Sequence, residues 1–164
     1  MKLTDILPVE KWIKFEKDIY NRSKLSASVF NTDGIRITDH LKWPNKICPV
    51  IKATDKGQSF ICAVAHMNLA NIAKNKKDFV IEECDAGLVK LIVPIFVNNE
   101  FIGSVGACGL LLEDGEVDAF SVNMITEIEE KKVEELSAEI ASISNKELEY
   151  LAEYIKTRLE SIIQ

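Results

Sequence analysis

The 164-residue sequence contains no stretch approaching eighteen consecutive apolar residues, and its N-terminal segment, Met1 to Trp12, lacks the cationic region and apolar core of a leader. Neither a membrane-spanning helix nor a secretory signal is expected, and the default compartment is the cytoplasm. Positive charge is in deficit, with twenty Lys and Arg against twenty-six Asp and Glu and a net charge of −6. Such a surface repels phosphate backbones and anionic lipid, which argues against direct nucleic-acid binding and against a membrane partner. There is no C-x-x-C pair: Cys48, Cys62, Cys84 and Cys108 are separated by thirteen, twenty-one and twenty-three residues. The spacing signatures of zinc ribbons and ferredoxins are therefore missing, and a reducing compartment disfavours two structural disulfides.

What remains is an ordinary globular mixture, 47% hydrophobic and 28% charged. A chain of this length buries about 70% of its unfolded surface, enough for one domain with a small internal pocket. Residues 9–23 place Trp12, Phe15, Ile19 and Tyr20 at helical intervals behind Pro8, as in an amphipathic flanking helix. Residues 26–31 and 35–38 flank Thr32-Asp33-Gly34 and predict a tight hairpin. A turn-rich stretch around Trp43, Pro44 and Pro49 carries Cys48, and residues 59–73 read as a helix with Cys62, His66, Leu69 and Ala73 on one stripe. Residues 79–84 predict a strand. A long hairpin follows, with residues 88–97 and 101–112 joined by Asn98-Asn99, since Asn tolerates the left-handed backbone. In its second strand Gly103, Ser104, Gly106, Ala107, Cys108 and Gly109 are all small, so either a closely packed helix or a ligand must approach that backbone. Beyond Gly115 the pattern is helical in two pieces, the second opened by the capping box Ser144-x-x-Glu147.

This order of elements suits an α+β domain in which a central antiparallel sheet is flanked by helices, as in PAS and GAF sensory folds, with a C-terminal helical extension. The resemblance then becomes specific. Cys84-Asp85-Ala86-Gly87-Leu88, Val93-Pro94-Ile95 and Phe101-Ile102-Gly103 resemble the core signature of the PocR ligand-binding domain, and Val29 to Gly34 resembles its first hairpin. Cys48 and Cys62 stand near places where that family carries cysteines. The resemblance covers about residues 5 to 125, which gives a sensory domain over 1–125 and a helical extension over 126–164. It implies recognition of small hydrocarbon derivatives such as diols, and a signalling protein partner. One departure is Asp85, where the family often has histidine.

A reversal of the chain at Gly57 would bring Cys48 and Cys62 towards Cys84. The expected metal or iron–sulfur ligands are Cys48, Cys62, Cys84 and Cys108, against the alternative that all four are packed thiols. The expected ligand-binding residues are Cys62, His66, Asp85, Ser104, Gly106 and Cys108; His66 lies one helical turn from Cys62 and shares its face. No catalytic residue is assigned. The enzymatic alternative is a GAF-like reductase of free methionine sulfoxide, which needs a thiolate at Cys84 and a resolving Cys62. The apolar stripe from Val133 to Ile162 is longer than one small sheet needs, so a homodimer through the C-terminal helices is expected, with ligand occupancy reported to a partner through those helices.

Overall fold

The computed structural model describes residues 1–164. After a short turn of helix, α1 (Leu3–Ile6), Pro8 stands at the N-cap of α2 (Val9–Ser23), where a missing N–H costs nothing. The inward stripe of α2 buries Trp12, Phe15 and Ile19, and the Trp12 indole N–H donates to the Leu3 carbonyl at 3.1 Å, tying α1 down. Lys24, in the left-handed conformation, ends the helix and releases β1 (Ser26–Phe30).

The hairpin expected over residues 26–38 is cut short. Gly34 takes the positive φ of its turn, but the return arm contributes only an isolated bridge between Phe30 and Arg36. Cys48 lies in a short helix, α3 (Ile47–Lys52), and not in a turn. Thr54 caps α4 (Asp55–Gly57), accepting from the Gly57 N–H at 3.0 Å. The chain thus folds back at Ala53-Thr54. Gly57 keeps helical torsions, and its role is close approach, because a Cβ there would collide with the Ile51 carbonyl. A π-helical segment, Gln58–Ala63, runs directly into α5 (Val64–Lys76).

Next come β2 (Val80–Glu83), β3 (Val89–Val97) and β4 (Glu100–Cys108). Asn98 and Asn99 both have positive φ, the requirement of a two-residue hairpin turn. A register shift between Ile95 and Phe96 moves Cys108 opposite Lys90, one residue beyond the Val89 that uninterrupted pairing would give. The antiparallel sheet has the order β1-β4-β3-β2, flanked by helices, an α+β architecture of PAS/GAF-like type. The remainder is β5 (Leu111–Leu112), α6 (Ala119–Thr126), α7 (Glu130–Ser137), β6 (Ser142–Ile143) and α8 (Asn145–Ile163). β5 and β6 form a two-stranded parallel pair, and the Ser144–Glu147 capping box opens α8 as expected.

Cross-strand partners share a face, so the register separates the two sides of the sheet. Ala27, Val29, Leu91, Val93, Ile95, Val105 and Ala107 face one way and join the inner stripes of α2 and α8 in the main core. Leu148, Leu151, Ala152, Ile155 and Leu159 of α8 belong to that core. Packing thus continues across residue 125, and most of the stripe from Val133 to Ile162 is buried within the chain, with Leu136, Ile140 and Ile162 partly exposed. Ser26, Ser28, Phe30, Lys90, Ile92, Ser104, Gly106 and Cys108 face the other way. Over part of this second face α5 packs Leu69 and Ala73 on Val80 and Ile92. No helix is long and apolar enough to cross a membrane.

Candidate functional site

Beyond the α5 contact, the second face of the sheet is the floor of a cavity of about 360 Å³. Alternation along β1 puts Ser26, Ser28 and Phe30 on the floor, and β4 adds Gly106 and Cys108. The roof is the π segment and the start of α5, which contribute Gln58, Cys62 and His66; the side wall is Leu41, Trp43, Pro44 and Cys48. Widened π turns recur at functional sites because they reposition side chains that a regular helix would place elsewhere. A second buried cluster, with Ile47, Ile51, Ile61, Leu88, Val122 and Val133, holds α3, the π segment, α6 and α7 behind the cysteine-bearing end.

His66 is 3% exposed, its ring stacks on Phe30 at 3.7 Å between centroids, and neither ring nitrogen has a hydrogen-bond partner. Burial, reinforced by Lys90 and Lys52, pushes its pKa down to about 3, so the imidazole is neutral at physiological pH. The space above Gly106 is occupied by the same pair: a Cβ there would stand 3.1 Å from Phe30 Cε2, 3.3 Å from Ile92 Cδ1 and 3.8 Å from His66 Nδ1. Of the two fillers expected above the small-residue strand, side chains of β1 and α5 cover Gly106, and the cavity opens beside them.

All four cysteines line this one cavity and all are free thiols. Asn45 fixes the Cys48 corner: its Nδ2 donates to the Gly109 carbonyl at 2.6 Å and to Cys48 Sγ at 3.2 Å, while its Oδ1 accepts from the Cys48 N–H at 2.7 Å. Burial is the leading cause that raises the Cys48, Cys62 and Cys84 thiols above their ordinary pKa. At Cys62 the nearby Lys52 opposes this rise, and at Cys84 the backbone N–H groups of Leu88 and Ala86 do. For Cys84 the rise is the opposite of the lowered pKa that the reductase alternative asks of it. No three His, Cys, Asp or Glu side chains are grouped so as to hold a metal ion. The four thiols share one stretch of cavity wall, and Cys108, Cys84 and Cys62 each bear electrostatically on Cys48.

Of the expected ligand-binding residues, Cys62, His66, Gly106 and Cys108 line the cavity and two do not. Ser104 lies on the correct sheet face, but it is 1% exposed beyond the cavity wall, with its hydroxyl unpartnered. Asp85 is exposed at the turn before β3 and borders a separate shallow depression with Glu83, Glu116 and Asp118. Sequence reasoning missed Arg36, Lys52 and Lys90, the three cationic side chains on the cavity wall. One signal for them was present: Lys90 interrupts the otherwise apolar run from Leu88 to Val97.

Comparison with curated proteins and with solved structures returns no significant match. The family model described as the sensory domain found in PocR matches residues 5–164, α8 included. With essentially the whole chain covered, the protein belongs to the PocR sensory-domain family.

Proposed function

We propose that this chain is a cytoplasmic small-molecule sensor whose ligand, a small hydrocarbon derivative, occupies the cavity between the sheet and the π segment. The observation that carries the reading is the cavity itself: a largely apolar enclosure with a few placed polar groups, framed by elements from four parts of the chain. Four free thiols suit a reducing compartment. The roof helix supplies a route for the signal. Its inner side carries Cys62 and His66, while Phe60, Val64 and Met67 of the same continuous segment are exposed apolar residues that a partner, or a second copy, could read.

Tryptophan fluorescence tests the site directly. Trp43 lines the cavity, whereas Trp12 is fully buried in the other core. Titration with short-chain diols, alcohols and acids should give a saturable emission change that disappears in Trp43→Phe. No response to any of them up to about 10 mM, the limit of weak affinity, would count against the cavity as the sensing site. The finer suggestion, a cysteine-held metal or iron–sulfur group, is tested by iron and zinc analysis of anaerobically purified protein. Stoichiometric metal that falls in Cys84→Ser would sustain it, and metal-free protein would leave the thiols as cavity wall.

A further inference from the structure

The charges around the cavity are unlike those of the molecule. The chain has six more acidic than basic residues, yet the cavity wall contains Arg36, Lys52 and Lys90 and not one Asp or Glu. Lys90 is 8% exposed, on the floor beside Cys108, and takes part in none of the four ion pairs of the protein. Lysines are almost never buried to this degree without a partner, because taking an ammonium from water is costly. Its cross-strand neighbour Glu82 is exposed and makes no ion pair with it. Lys52 is likewise without an ion pair, its ammonium 6.0 Å from the Trp43 ring centroid. Both lysines act electrostatically on His66 and on Cys62, so both charges bear on the same part of the cavity. His66 adds a buried neutral imidazole with a free N–H. Arg36 is more nearly compensated: it donates to the His40 carbonyl and its charge also acts on Glu16.

We propose that the ligand is an organic anion, a small carboxylate whose apolar body lies against Phe30, Ile35, Leu41 and Trp43 and whose charge is met by Lys52 and Lys90, with His66 donating a hydrogen bond. This rests on the assignment of the cavity as the sensing site and specifies what it accepts. A neutral diol would leave both ammonium groups uncompensated, whereas a carboxylate supplies the charge the wall lacks. The apolar side wall selects for a hydrocarbon body over a bare inorganic anion.

The test uses the full chain and three probes of nearly one shape, benzoate, benzamide and benzyl alcohol, titrated by calorimetry at low salt. Benzoate should bind at least about tenfold more tightly than benzamide. That gap should close in Lys90→Met, which keeps the apolar stem, while benzamide affinity is unchanged. The thermal midpoint of ligand-free Lys90→Met should hold, because Lys90 makes no ion pair that the substitution removes; this readout also shows that the variant folds. Equal binding of the three probes would overturn the inference and leave the cavity assignment standing. Binding of none of them would also overturn it, and the Trp43 titration with diols would then decide the cavity assignment on its own. A benzoate preference that survives both Lys90→Met and Lys52→Met would show that the charge is met elsewhere, and sinks the proposal.

Discussion

His66 sets the pH behaviour of the site. Its folded-state pKa is depressed from 6.5 to about 3, with burial as the largest cause and Lys90 and Lys52 next. Below about pH 6.5 the unfolded chain takes up a proton that the folded chain refuses, so the stabilisation is complete above that pH. It is lost as pH falls towards 3, at up to about 1.4 kcal/mol per unit. Urea unfolding between pH 6.5 and 5 reads this group above the ordinary range of Asp and Glu; Glu16, whose pKa burial raises, gives a slope of the opposite sign, so Glu16→Gln is a further comparison. His66→Gln should flatten the slope in that window. His40 is shifted downward as well, again chiefly by burial, which makes His40→Gln the necessary comparison; a slope unchanged in His66→Gln would contradict the account. Gly106 gives a second prediction at this scale. A leucine there has no room beneath Phe30, Ile92 and His66, so Gly106→Leu should destabilise by about 1–3 kcal/mol through overpacking. A melting temperature equal to that of the parent would show that the roof gives way instead.

At the scale of elements, the decisive joint is the reversal between α3 and the π segment, because it carries Cys48 to one wall and Cys62 to the roof. It is held by the Thr54 cap and by the contact of Gly57 with the Ile51 backbone. Gly57→Ala should therefore lower stability by about 1–3 kcal/mol and weaken the Trp43 response, although alanine ordinarily favours a helix over glycine. A stabilised Gly57→Ala would mean that the joint has slack. The same joint shows what the sequence made legible. Helix α2 and the Asn98-Asn99 hairpin follow from local periodicity and turn chemistry, and the structure reproduces α2 from Val9 to Ser23. The π segment does not follow, because Ser59 to Ala73 has ordinary helical spacing and its widened turns come from packing against α3 and α6. Nor does the position of Lys90 beside Cys108 follow, since it depends on the irregularity at Ile95/Phe96 in a strand pair that reads as regular. The four cysteines were recognisable as a set, yet their meeting on one cavity wall depends on the reversal at Ala53-Thr54 and on the strand register, which spacing does not encode.

At the scale of the whole molecule, the sheet divides the chain into a core side and a cavity side, and α8 closes the core side. Its Leu148, Ala152 and Ile155 are fully enclosed, and Leu151 and Leu159 complete the stripe against β3 and α2. Phe15, Val93 and Val105 lie in the same buried cluster and face the side that α8 covers. Two surface features fasten it further, an ion pair from Lys156 to Asp78 at 2.9 Å and a hydrogen bond from the Tyr154 hydroxyl to Asp18. Removing five buried aliphatic side chains at once, at about 1.5–3 kcal/mol each for the larger ones, would take most of the roughly 5–15 kcal/mol by which a domain is stable. A chain ending at Ser144 should therefore lose cooperative unfolding and precipitate or expose apolar surface to dye, even though the cavity residues are all retained. If α8 were an accessory extension, the shortened chain would instead melt as a single transition and keep its Trp43 response. Chemical denaturation of the two lengths in parallel distinguishes these outcomes, and the enclosed stripe requires the first.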